Sequence, residues 1–240
     1  MNINASTTTK LHYYLWYFLI FSILGLILET FFCYVTTGII ESRKAFFIGP
    51  FCPVYGAGAV SLIWVLKRFN KNIPALFFFG IVIASAVEYV FDFVFEAICG
   101  INFWNYTYLP FNLNGRICIL FSFFWGILAI LLIKVMKPAI DRLINKIFHS
   151  LKFKLDIPIL AFLVLNLIIT VWAINTYVGR NTSRKLNAST NTDWGTFEAT
   201  KLLVEDAYFT NERLLLTFPN LRYKDELGNE IFIRDNLKNF

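Results

Sequence analysis

Three carboxylates interrupt the apolar stretch SAVEYVFDFVFEAI, at Glu88, Asp92 and Glu96. On a helix this spacing sets them within roughly 80° of arc on one face, climbing it in steps of about 6 Å. An acid or base near the centre of a membrane helix costs about 2.5–3.5 kcal/mol on insertion scales, and less toward the ends. The acidic face is therefore expected to point into a helix bundle, where ionisable groups are functional candidates. Such a row can bind a cation or polar solute, carry protons, or pair with arginines in a structural network.

Other apolar runs supply partners. Glu29 lies about six residues, roughly 9 Å, from the far end of the first run, close to the depth expected for Asp92. Arg43 precedes the second run and Arg116 opens the fourth. Glu29, Glu88, Asp92 and Glu96 are thus expected to gather with Arg43 and Arg116 in the outer half of the membrane. Four acids against two arginines leave an excess that protonation, water or a bound cation must offset. His12 and His149 fall near the opposite surface, so a histidine relay or nucleophile is not indicated.

The runs themselves set the class. Of 240 residues, 57% are hydrophobic and 16% charged, where soluble domains carry roughly 25% charged residues. Mean hydropathy is +0.59. The chain reads as an all-α polytopic membrane protein. Its net charge of +6 reports orientation rather than a nucleic-acid footprint. Five segments approach the roughly 20 apolar residues a span needs: 15–35, 49–66, 74–98, 117–135 and 157–178. The second has an irregular start, in which Gly49, Pro50, Pro53 and Gly56 break the helix or admit a close neighbour. Non-helical backbone is tolerated there only if protein or a cavity shields it. The first run is too long for a signal-peptide core and reads as a retained span.

Residues 1–178 are accordingly expected to form a transmembrane bundle, and 179–240 a linker with a small soluble tail. Within the tail, FEATKLLVEDAYF has helical spacing, and RYKDELGNEIFIRD reads as two short strands around an Asn/Gly turn. One side of the bundle receives Lys10, Lys67, Arg68, Lys71, Lys134, Lys137, Arg142, Lys146, Lys152 and Lys154. The other receives Arg43, Lys44 and Arg116. This asymmetry puts the N-terminus inside and, with five spans, the tail outside. The Phe-, Ile-, Asn- and Lys-rich composition suggests a bacterial plasma membrane.

Cys33, Cys52, Cys99 and Cys118 all fall near the predicted outer face, where either a disulfide or four apolar thiols fits. No C-x₂-C spacing supports a thiolate metal site, and the metal remains unassigned. The loop NFWNYTYLPFNLNGR carries Trp104, Asn105, Tyr106 and Asn112. It reads either as an interfacial aromatic belt or as a lid over the carboxylates.

Taken in order, SRKAFFIGPFCPVYGAGA, EYVFDFVFEAI and FWNYTYLPFNLNGRICILFSFFWG resemble the bacterial family of type IV ABC-transporter-like membrane proteins. The resemblance covers about residues 13–136 and leaves the fifth span and the tail outside it. Matching positions are Glu29, Arg43, Gly49, Pro50, Cys52, Pro53, Tyr55 and Gly56, then Glu88, Tyr89, Glu96, Trp104, Tyr106, Phe111, Asn112, Gly115, Arg116 and Cys118. Asn105 departs from the pattern, since Asp is frequent at that position, so no acidic role is implied there. The resemblance implies a permease-like membrane subunit. The chain lacks a G-x-x-x-x-G-K-[ST] loop, so ATP-driven work would need a separate ATPase subunit.

The function these readings favour is a permease-like protein that binds or moves a cation or small polar solute through an intramembrane carboxylate/arginine site. A membrane-embedded enzyme acting on a lipid or isoprenoid headgroup is the rival. A non-catalytic partner or sensor is the third reading.

Overall fold

The computed structural model describes residues 7–151, 153–183, 207–224 and 230–232. Helix α1 (Thr7–Thr37) and helix α3 (Ile73–Cys99) are each long and apolar enough to cross a membrane. So is the continuous helical segment Ile119–Ile147, and so is Asp156–Arg180 within α6 (Asp156–Ser183). Helix α2 (Pro53–Leu66) has 14 residues, about 21 Å, and is shorter than a bilayer core of about 30 Å. Residues 38–52 lead into it without helix, and Pro53 starts it where a missing N–H costs nothing.

That non-helical segment is held by side chains from α6. Asn166, buried in the middle of α6, accepts from Ile48 N at 3.1 Å and donates to Ile48 O at 2.7 Å. Thr170, one turn further along, accepts from Phe47 N at 2.9 Å. Cys52 N donates to Ser22 O of α1 at 3.0 Å, and Gly49 supplies a left-handed turn at φ 78°. The backbone groups of Phe47, Ile48 and Cys52 named here thus find protein partners, the condition for irregular chain at membrane depth.

Small residues bring the helices together. A side chain at Gly56 of α2 would collide with Ser22 and Phe18 of α1. One at Gly80 of α3 would meet Ala129 of α4 (Ile119–Leu131). Beside that crossing, Ser85 and Ser122 share a buried hydrogen bond of 2.8 Å. Close approach and interhelical polar contacts are what hold helices together when lipid is as apolar as leucine.

Helix α4 does not end in a loop. It passes through a π-turn at Leu132–Met136 into α5 (Lys137–Leu151). From the sequence, residues 134–156 are expected to form a basic connecting loop on the inner side, and most of that stretch is helix instead. The segment is an amphipathic helix whose Ile144 is fully buried, with Lys137 and Asp141 half-buried beside it and Arg142 and Lys146 exposed. At this end of the bundle His12 meets both oxygens of Asp156, at 2.7 and 2.8 Å. Tyr13 donates to Asn145 and Tyr17 to Asp141, tying α1 to α5. These bonds fix the His12–Tyr17 stretch of α1 against α5 and α6.

The opposite end, here called the rim, carries residues 38–52 and 100–118. There Ile101–Asn102 (β1) follows α3 after the left-handed Gly100, while Asn112–Leu113 (β2) and Ile117–Cys118 (β3) form a hairpin. The described tail also lies at the rim. Helix α7 (Asn211–Thr217) and strands β4 (Arg222–Lys224) and β5 (Glu230–Phe232) follow, with β4 pairing antiparallel to both β1 and β5. The expected strand pair is present as β4 and β5, and most of the expected helix FEATKLLVEDAYF lies outside the described residues. Phe209, Leu214, Phe218, Leu221 and Tyr223 of the tail form one core with Phe95, Ile101 and Ile174. Burial of these side chains contributes about 1.5–3 kcal/mol each.

Replacing Asn166 with Leu should lower thermal stability in detergent by about 1–3 kcal/mol, because Ile48 loses a partner for both of its backbone groups. Thermal unfolding of purified protein checks this. Leu165→Ala, on an exposed position next to it, should have a much smaller effect.

Candidate functional site

The rim charges separate into two groups. In the first, Arg116 bonds Glu96 directly and places its Nε 3.2 Å from Asp92 Oδ2. Asn102 donates to both acids, at 3.0 Å to Asp92 and 3.3 Å to Glu96, and Phe103 N approaches Asp92 at 3.4 Å. The guanidinium also lies over the rings of Tyr89 and Phe93, 5.3 and 5.5 Å from their centroids. Asp92 is fully buried. One cation thus serves two acids, with amide donors filling the remaining lone pairs, as a buried ion cluster requires.

The second group surrounds an empty space. Glu88, 4% exposed, accepts from Tyr106 OH at 3.0 Å and from Trp125 Nε1 at 2.8 Å. Burial first, and the Glu88 carboxylate second, push the Tyr106 phenol above its ordinary value, so it remains a donor. Glu29 accepts from Tyr55 OH at 2.6 Å. These groups line a cavity of about 120 Å³ together with Arg43 and Lys44. Tail residues Phe218 and Asn220 line it as well, and Asn220 donates to Ser42 O at 3.2 Å.

Arg43 was expected to join the acids as an ion pair. It lines the same cavity, but its hydrogen bond goes to Cys33 Sγ at 2.9 Å and its buried Nε has no partner. The loop that carries it is fixed by Phe47, Ile48 and Cys52, which sets its depth without setting its partner. The expected single gathering of six charges is therefore two neighbouring arrangements, one closed and one open.

The other expected site residues scaffold the rim, and Trp104 lines the cavity as well. Trp104 Nε1 donates to Arg116 O at 2.8 Å, and its ring stacks on Phe91 with centroids 6.4 Å apart. Asn105 accepts from Thr107 N at 2.8 Å. Asn112 accepts from Gly115 N at 3.0 Å and donates to Leu109 O at 2.8 Å. Both asparagines thus brace the 100–118 loop, while Tyr106 alone sends its hydroxyl to Glu88. Gly49 makes its turn, Pro53 starts α2, Gly56 sits against α1, and Pro50 lies in the held segment.

All four cysteines are buried free thiols, so the disulfide alternative is not formed. Cys33 is the acceptor for Arg43, and Cys52 lines the cavity. Among the described residues no group of three or more His, Cys, Asp and Glu could hold a metal ion.

Sequence reasoning missed Trp125, Lys44, Asn166 and Thr170. Trp125 had a signal, being an indole N–H inside a span and needing a buried acceptor. Asn166 and Thr170 had one too, as polar residues four apart on one face of an apolar run.

Compared with known proteins, residues 16–171 match the model of the family described as "Putative ABC-transporter type IV". The match runs past residue 136 and takes in Asn166 and Thr170, so the fifth span is not outside the family. No curated protein and no solved structure matches the chain.

Arg116→Gln should destabilise the protein by about 3–5 kcal/mol, because Asp92 and Glu96 lose their shared counter-charge in a buried site. Arg43→Gln should cost only about 1 kcal/mol, the scale of one hydrogen bond. Unfolding in the same detergent would compare them, and equal losses would contradict the division into two groups.

Proposed function

The chain belongs to the putative type IV ABC-transporter family, and on that premise we propose that it is a permease-like membrane protein with a polar binding site at the rim. It is a membrane protein of a transport-related family by its family match and its four long apolar helices. The observation that carries the finer reading is the cavity of about 120 Å³ between Glu29, Glu88, Arg43 and Lys44. A structural network has no need of that space. The Asp92–Glu96–Arg116 cluster beside it closes without any.

The cavity offers both signs of charge beside aromatic donors, in a setting where electrostatic contacts are weakly screened. A small polar solute or cation entering it would exchange water for the carboxylates on one wall and the cations on the other. The Tyr55, Tyr106 and Trp125 bonds hold the two acids in place beforehand. Such preorganisation favours binding because the site does not reorganise on contact.

In this reading the rim faces outward and the α5 end faces inward, following the distribution of Lys and Arg. Any coupling to ATP hydrolysis would come from a separate ATPase subunit. The exposed Arg142 and Lys146 of α5 are the surface such a subunit would meet, along with anionic lipid headgroups.

Solute flux into proteoliposomes is the test, run with a panel of small cations and zwitterions alongside thermal shifts in detergent. A transported solute should raise the melting temperature of wild type. Glu88→Gln should abolish both its flux and its shift while the protein stays folded. If no solute crosses, and Glu88→Gln changes stability alone, the permease reading fails.

A further inference from the structure

The polar cavity is not isolated inside the bundle. Tyr55, Glu88 and Trp125 line it on one side and line a second, larger space on the other. That space, of about 370 Å³, is apolar apart from those three residues. Helices α1 and α4 flank it, and α2 and α3 form its floor. Toward the rim the two flanking helices meet through Phe32 and Phe121, whose rings pack edge to face at 6.1 Å. Below that contact the groove opens sideways between exposed Ile27, Phe31 and Leu131. In a bilayer those positions face hydrocarbon.

A glycine keeps the junction open. Gly25 of α1 leaves room for the Tyr55 ring, which a larger residue would strike, and Tyr55 packs edge to face on Trp125 at 5.5 Å. Two aromatic rings, one carboxylate and the side chain of Val54 thus stand between a charged pocket and a lipid-facing groove.

The charge state of the pocket selects the headgroup. Its two acids already take three donors, from Tyr55, Tyr106 and Trp125. Its two cations lack equivalent acceptors. Arg43 has a buried Nε with no partner, and Lys44 makes no hydrogen bond or ion pair among the described residues. The unfilled need is for an anion with several acceptor oxygens, and phosphate meets it with charge-assisted bonds.

We propose that the two spaces form one site for a phosphate-bearing amphiphile, with its headgroup against Arg43 and Lys44 and its hydrocarbon chain in the α1/α4 groove. This rests on the reading of the rim cavity as the binding site of a permease-like protein, and assigns it an anionic amphiphile in place of a small solute or cation. The amphiphile enters from the membrane, between α1 and α4, and the tail residues Phe218 and Asn220 close the pocket above its head. A chain in the groove contributes about 0.8 kcal/mol per buried methylene, which a water-soluble solute cannot obtain.

The test compares three probes on purified full-length protein in detergent: oleoyl lysophosphatidic acid, glycerol 3-phosphate, and monooleoylglycerol. Melting temperature and native mass spectrometry read the binding. Two variants separate the two halves of the site. Arg43→Gln removes the headgroup contact. Gly58→Leu fills the groove, since Gly58 lines it and a side chain there meets nothing within 4 Å. The lysophospholipid should bind at least tenfold tighter than either partial probe, and each variant should weaken it at least fivefold. Glycerol 3-phosphate binding equally well, with Gly58→Leu silent, would overturn the amphiphile and leave the polar-solute reading standing. Binding that ignores Arg43→Gln would mark ordinary lipid adhesion and overturn it too. So would an absence of binding by all three probes while a soluble solute still crosses proteoliposomes.

Discussion

The paired hydrogen bonds between Asn166 and the backbone of Ile48 are the contact on which the rim depends. Fifteen residues between α1 and α2 run without helix beside membrane-spanning segments, and their backbone groups need partners that lipid cannot offer. Asn166 and Thr170 provide them from α6, and Ser22 does so from α1. Once the segment is held, Arg43, Lys44, Cys52 and Tyr55 have fixed positions opposite the acidic face of α3. Helix α6, 118 residues away along the chain at the Ile48–Asn166 contact, thereby sets the geometry of the site.

A second constraint works on the charges. Buried ions are tolerated when each is paired and its remaining lone pairs are filled. Asp92 and Glu96 share Arg116 as counter-ion and Asn102 as donor, and the four form a compact ion cluster under the 100–118 loop, although among the described residues Arg116 Nε makes no hydrogen bond of its own. Glu29 and Glu88 are held by phenol and indole donors and not by a cation among those residues. Arg43 and Lys44 do not meet that standard within the described residues, and they face a cavity. The same physics that makes the first group structural makes the second group receptive to a ligand. The tail joins this arrangement by packing its own core on β1 and α6 and by lining the cavity with Phe218 and Asn220.

Much of this was legible in the sequence. The five apolar runs locate the helices, four of them long enough to span and the second only 14 residues, and Pro50, Pro53 and the nearby glycines mark the irregular start of that short α2. The four-residue spacing of Glu88, Asp92 and Glu96 gives their common face. What stayed hidden has physical causes. Depth along a helix cannot tell which carboxylate an arginine selects, so Arg116 and Arg43 looked equivalent until their neighbours were in place. Residues 134–156 read as a basic loop because charge is conspicuous, yet the apolar positions of 137–151 keep helical period and bury Ile144. Asn166 and Thr170 were passed over inside a strongly apolar run, although a polar pair one turn apart in such a run needs a partner.

At the rim, one arginine is committed to carboxylates and the other is not. Double-mutant cycles on unfolding free energy measure this directly, pairing Arg116 with Asp92 and Arg43 with Glu88 under identical conditions. The account predicts a coupling of about 1–3 kcal/mol for the first pair and a value near zero for the second. A coupling between Arg43 and Glu88 as large as that between Arg116 and Asp92 would contradict it. The open cavity would then be one more closed ion pair.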